Sequence, residues 1–232
     1  MKRFFKDVSV AEVEDGWQVM LDAHALKTQG KRRPQIVPTR AAADLLAAEW
    51  KAQTEKIDPK SFVHRDLADF AIDMVRSERD AAIAKLLDYA GTDTLCYRAD
   101  PDEPLYKRQQ EVWEPLVAAC EARHGVRLER VSGIVHRAQS AETVAALRER
   151  LEGEDDFTLA ALLTLASLAA SLVVPLAMLE DHADAAALFA AANTEEDWQA
   201  ELWGWDHQAE TVRVLKLEAF KKAGKFARAV RS

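Results

Sequence analysis

Phe157-Thr-Leu-Ala-Ala-Leu-Leu-Thr-Leu-Ala-Ser-Leu-Ala-Ala-Ser-Leu-Val-Val-Pro-Leu-Ala-Met-Leu179 is the stretch whose reading decides the fold. It is apolar almost all round and long enough to span a bilayer. Both flanks are acidic, with Glu152, Glu154, Asp155 and Asp156 before it and Glu180, Asp181 and Asp184 after it. No basic side sets an orientation, as a membrane span would require. Thr158, Thr164, Ser167 and Ser171, together with many alanines, suit close packing among other helices. The stretch therefore reads as the central helix of a soluble protein. The rival reading, a membrane adaptor, would show itself as detergent-dependent solubility.

Outward from this helix, the N-terminal part has a different period. Val8, Val10 and Val13 alternate loosely, Asp15-Gly16 reads as a hairpin turn, and Trp17, Val19 and Leu21 alternate strictly beyond it. Ala25–Thr28 and Gln35–Val37 add two short extended pieces around the basic loop Gly30–Pro34. At Pro38-Thr39 the period becomes helical. Thr39 caps a helix carrying Ala43, Leu46 and Trp50 on one face, with Trp50 expected to be buried. Leu67, Ala71 and Met74 mark a second helix, and Ser77 caps a third through Ile83 and Leu87 to Gly91. Trp113, Leu116, Val117 and Cys120 form a fourth stripe. Ser140 opens a fifth with Val144, Leu147 and Leu151, while Thr94–Arg98 and Arg127–Val131 read as extended linkers. The expected class is α+β, with a small β-rich N-terminal domain at residues 1–38 and a larger helical domain at residues 39–232.

Composition agrees with a helical, well-packed chain. Of 232 residues, 49% are hydrophobic and 30% charged, with only 8 Gly and 7 Pro. The formal charge of −8 argues against a nucleic-acid binder. From His207 to Ser232 there are seven Lys/Arg and two Glu, so this segment carries +5 and residues 1–206 carry −13. Such a basic segment either docks internally or faces an acidic partner. Cys96 and Cys120 form no CxxC pair, and no secretory signal or transit peptide is evident at the start. The chain reads as cytoplasmic and bacterial.

Catalytic patterns are thin. His64-Arg65-Asp66-Leu67 imitates a kinase catalytic loop, but Ala71 stands where the metal-holding Asn belongs, and the glycines never reach a phosphate-loop spacing. The six histidines form no metal-ligand cluster, and Cys120 sits on an apolar stripe. No cofactor or metal is expected. One constellation stands out: Trp198-Gln-Ala-Glu-Leu-Trp203-Gly-Trp205-Asp206, preceded by Glu195-Glu196-Asp197. Leu188, Ala191, Glu195, Trp198 and Leu202 recur at helical spacing, which places Glu195 within an apolar stripe. Glu195 then reads as a buried acid paired with Arg or Lys, or as an acid beside aromatic anchors on a protein-binding surface. A third reading is a small helical enzyme using the acids near Glu195 together with His207. A deep polar pocket would support the enzyme, and a broad apolar surface would speak against it.

Across nearly the whole chain the sequence resembles the assembly chaperones of the F1-ATPase alpha subunit. The resemblance is carried by Arg3-Phe-Phe-Lys6, Leu26-Lys27-Thr28, Val37-Pro38-Thr39, Ala48-Glu49-Trp50, Ile57-Asp58-Pro59 and Ala71-Ile72-Asp73. It continues through Tyr89, Thr92-Asp93, Leu95-Cys96-Tyr97-Arg98, Arg108-Gln109, Trp113, Pro115-Leu116, Gly133-Ile134, Gln139 and Ser171-Leu172. It closes on Asp197-Trp198-Gln199, Trp203-Gly204 and Asp206. Trp205, Val135-His136-Arg137 and His64-Arg65-Asp66-Leu67 depart from the usual form. The resemblance implies a β-rich N-terminal domain, a helical C-terminal domain, no catalysis and no bound nucleotide. It implies a chaperone that binds the free alpha subunit, prevents its aggregation and promotes F1 assembly. It also implies a monomer when free, without membrane insertion, and a mitochondrial-matrix location for eukaryotic relatives. Glu195, Glu196, Asp197, Trp198, Gln199, Trp203, Trp205 and Asp206 are the expected client-binding residues.

Overall fold

The computed structural model describes residues 1–133 and 135–232. Ile134, one of the residues carrying the resemblance, lies outside the described residues. The fold is α+β, a small N-terminal sheet followed by a larger run of helices. Strand β1 (Val8–Val13) pairs antiparallel with β2 (Gly16–Leu21), Val13 facing Gly16. That register makes Glu14-Asp15 the turn, one residue earlier than expected. Gly16 instead opens β2 at φ +139°, where a Cβ would stand 2.4 Å from the Val37 carbonyl oxygen. The glycine is required by the close approach of a neighbouring strand. Strands β3 (His24–Ala25) and β4 (Ile36–Val37) both pair antiparallel with β2.

Helix α1 (Arg40–Lys51) begins at Thr39, whose Oγ1 accepts from the Ala42 amide at 3.0 Å. Its buried face is Ala42, Ala43, Leu46, Ala47 and Trp50, and it packs on β1 and β2. Trp50 lies among Phe5 and Phe62, with ring centroids at 5.5 and 4.5 Å. Helix α2 (Val63–Asp73) has no cap residue of its own. The Glu49 carboxylate of α1 accepts from the His64 and Arg65 amides at 2.8 and 3.0 Å. The kinase-like string is thus the opening turn of a helix. Farther along α2, Asp73 accepts from Thr28 Oγ1 and the Lys31 amide, both at 2.9 Å, and Asp69 accepts from the Gln29 amide at 2.9 Å. Those two acids hold the basic loop.

Helix α3 (Arg79–Gly91) is not capped by Ser77. That serine sits in a preceding 3-10 turn, and its hydroxyl bonds to the Asp73 and Met74 carbonyls. The buried stripe of α3 uses Leu86 where Leu87 was expected. Helix α4 (Pro104–His124) buries Trp113, Val117 and Cys120. Helix α5 (Ala141–Glu152) is capped by Ser140, which accepts from the Thr143 amide at 3.1 Å. The two expected linkers meet: β5 (Tyr97–Arg98) pairs parallel with β6 (Val131–Ser132).

The expected central helix is two helices, α6 (Asp156–Ala169) and α7 (Val173–Met178). Ala170 turns left-handed at φ +47° between them. The cause is Asp93, a fully buried carboxylate. Its Oδ2 accepts from Ser171 Oγ and the Leu172 and Val173 amides at 2.8, 2.7 and 2.9 Å, and its Oδ1 from the Leu95 amide at 3.0 Å. The Ala170 carbonyl accepts in return from the Thr94 amide and hydroxyl at 3.0 and 2.9 Å. A carboxylate that fills the orphan amides of a helix start makes a break there favourable. No helix among the described residues is long and apolar enough to cross a membrane.

The chain continues through α8 (Ala185–Ala192), α9 (Thr194–Trp203) and α10 (His207–Ala229). By contact density it forms two compact units. The first is Met1–Ala82, Asp155–Ala161 and Lys225–Ser232; the second is Ile83–Glu154 and Leu162–Gly224. Helices α1 and α2 share the first unit with the strands.

Replacing Trp50 with alanine is expected to cost about 3–5 kcal/mol by cavity formation, seen as a lower denaturant midpoint. Asp93→Ala strands three amides and a hydroxyl in the interior. It should lower stability by about 3 kcal/mol or more in the same measurement.

Candidate functional site

The residues expected to bind a client lie in the second unit, on α9, on the Gly204-Trp205-Asp206 link and at the start of α10. The expected single stripe does not form. Helix α8 ends before Asn193, so Leu188 and Ala191 fall on one helix and are buried, while Glu195, Trp198 and Leu202 fall on the next. Glu195 and Leu202 are exposed and Trp198 is half-buried.

Most of the polar members have partners within the unit. Arg213 of α10 grips Asp197 with one nitrogen, 2.6 and 2.7 Å from its two oxygens, and reaches Glu196 at 3.4 Å. The same guanidinium lies 4.7 Å over the Phe189 ring, and Phe189 packs on Phe220 of α10. Glu201 pairs with Arg108 of α4 at 3.0 Å, and Arg108 stacks 5.6 Å from the Trp198 ring. Asp206 accepts from the Gln208 and Ala209 amides, both at 3.0 Å, and so caps α10. Gln199 is exposed.

Glu195 differs from these. Its partner is neutral: Gln109 Nε2 donates to Glu195 Oε1 at 2.8 Å. The expectation of a buried acid paired with a cation is therefore corrected on both counts, since the side chain is exposed and its contact is an amide. Desolvation by its neighbours lifts its pKa above the ordinary carboxylate value, partly offset by that hydrogen bond. Glu195 lines an open depression of about 360 Å³ with Thr92, Thr94, Tyr97 and His136. His207 does not line it, so the pair imagined for an enzyme is not assembled there.

The apolar members are conspicuously open. Leu202, Trp203 and Trp205 are 56%, 77% and 41% exposed. On α10, Val212, Val214 and Leu215 are 44%, 56% and 66% exposed. Sequence reasoning missed these last three. The signal was available: Leu217, Phe220 and Gly224 mark one face of α10, and Val212, Leu215 and Ala219 repeat at helical spacing on another. A helix with two apolar faces can bury one and present the other. Large apolar side chains thus stand exposed beside paired charges on two adjoining helices.

Neither cysteine is poised as a nucleophile. Cys96 and Cys120 are buried, burial raises both thiol pKa values, and that of Cys120 reaches about 12. Among the described residues no group of three or more His, Cys, Asp or Glu could hold a metal ion.

The family described as ATP12 chaperone protein matches residues 2–121. Atp12 from Paracoccus denitrificans superposes at a TM-score of 0.93 with 36% identity, covering 99% of this chain and 98% of that one. An aspartate-to-lysine mutant of the same Paracoccus protein gives the same values. A protein from Agrobacterium tumefaciens matches at a TM-score of 0.93 and 36% identity, over 98% of this chain and 85% of its own. A match over more than half the sequence and a common fold over nearly all of it lead to one conclusion: the chain belongs to the ATP12 chaperone family.

Proposed function

We propose that this chaperone serves F1-ATPase assembly by holding the free alpha subunit, through the apolar surface of α9, its link to α10 and the outward face of α10. The observation that carries the reading is the set of six large apolar side chains, Leu202 to Leu215, that stand 41–77% exposed. A ring subunit without its neighbours exposes an apolar interface that aggregates. A matching apolar surface covers that interface until the neighbouring subunit displaces it. Glu195, Gln199, Trp203 and Trp205 contact the client in this reading, while Glu196, Asp197, Trp198 and Asp206 shape the surface that does so. The protein acts by covering surface, without catalysis or a bound nucleotide, as a monomer in the bacterial cytoplasm.

The decisive experiment is co-purification with isolated F1 alpha subunit, compared with beta. Retention of alpha and not beta is expected; equal retention, or none, overturns the assignment of the client. Trp203→Ala combined with Leu215→Ala should leave the unfolding midpoint within about 1 kcal/mol of wild type, because both are surface positions. The same variant should lose most of its ability to keep alpha soluble in a light-scattering assay. Glu195→Lys should still fold, at a cost of about 1–3 kcal/mol because the buried Gln109 Nε2 loses its acceptor, and should weaken capture. A variant that folds and still suppresses aggregation as the wild type does removes Glu195 from the contact.

A further inference from the structure

Helix α9 carries four acids. Glu196 and Asp197 are matched by Arg213, and Glu201 by Arg108. Glu195 forms no ion pair among the described residues, yet it is the one held most deliberately. Its support is Gln109 of α4, fully buried, whose Oε1 accepts from the Ala99 amide at 2.8 Å. That bond fixes the orientation of the amide, because a flipped Gln109 would set its NH2 group against the Ala99 N–H. Nε2 is therefore committed to Glu195 Oε1, and the carboxylate is pinned with its other oxygen unpartnered among the described residues. A rigid buried group orienting an exposed, uncompensated charge is the arrangement of a prepared contact.

The rest of the depression fits one kind of guest. Thr92 and Thr94 spend their hydroxyl protons on the Asp88 and Ala170 carbonyls at 3.2 and 2.9 Å, leaving oxygen lone pairs as acceptors. Tyr97 and His136 stack with centroids 6.5 Å apart and planes 9° apart, joined by Tyr97 Oη and His136 Nδ1 at 2.7 Å. Among the described residues no Lys or Arg lines the depression. Acceptors, flat aromatic rings and one unpaired carboxylate are complementary to a planar, multi-donor cation.

We propose that the depression of Thr92, Thr94, Tyr97, His136 and Glu195 is a socket for an arginine side chain of the client, with Glu195 as its counter-charge and Gln109 as the positioning residue. The inference rests on the chaperone reading, which supplies a polypeptide partner; it adds the chemistry by which that partner is registered beside the apolar surface.

The test titrates isotopically labelled protein with acetyl-Ala-Arg-Ala-amide and, in parallel, with the neutral citrulline isostere, following backbone amide resonances. Saturable shifts confined to residues around Thr92, Thr94, Tyr97 and Glu195 are expected with the arginine peptide only. Glu195→Gln should weaken that binding about tenfold, the scale of one hydrogen bond to a charged group, while its remaining spectrum stays unchanged. Equal responses to both peptides, no saturable shift, or undiminished binding to Glu195→Gln would overturn the socket. Capture of the alpha subunit is measured separately, so a socket that fails while capture persists leaves the chaperone reading standing. A working socket without capture would do the reverse.

Discussion

The buried carboxylate of Asp93 is the constraint on which the helical unit turns. An apolar segment as long as Phe157–Leu179 is most simply satisfied as one straight helix. Asp93 offers a competing solution, because a buried anion needs donors and the first turn of a helix has amides to spare. Breaking the segment at Ala170 supplies Ser171 Oγ and the Leu172 and Val173 amides to one carboxylate oxygen. The Thr94 amide and hydroxyl close the reverse side on the Ala170 carbonyl. Burial raises the pKa of Asp93 against the pull of four donors. The group is thus tolerated in the interior only because every one of those donors is in place.

The same economy of charge governs α9 and α10. Exposed tryptophan and leucine are unfavourable in water, and helices carrying them need support from elsewhere. Here the support is ionic and aromatic: Arg213 ties the two helices through Asp197 and rests on Phe189, and Arg108 ties α9 to α4 through Glu201. Arg213 is nearly buried, its side chain 13% exposed, so its bond to Asp197 is less screened than a surface pair. Within the second unit, the buried Phe220 and Ala223 of α10 anchor what its exposed beginning presents.

Much of this was legible from local signals. The hairpin follows from alternation around a turn, and the caps Thr39 and Ser140 sit where their helices begin. What was not legible depended on groups far away in sequence. Gly16 was read as a turn glycine, but the demand for it comes from the Val37 carbonyl. Glu49 caps a helix that starts fourteen or so residues later, and no local pattern records that. The break just before Ser171 is dictated by an acid 78 residues earlier than that serine. At the candidate site, the tryptophan cluster was visible as composition. Periodicity alone could not divide its acids into helix clamps, a cap and one unpaired group, because Arg213, Arg108 and Gln109 belong to other elements.

The two cysteines have a practical consequence. Cys96 and Cys120 are 0% and 5% exposed, and their thiols are held far from ionisation at neutral pH. Thiolate is the species that maleimides and oxidants attack. The native chain is therefore a silent background for labelling, and a single cysteine introduced at an exposed position such as Gln199 would take a fluorophore or spin label alone. Encounters on the apolar face could then be followed in real time in an otherwise unaltered protein.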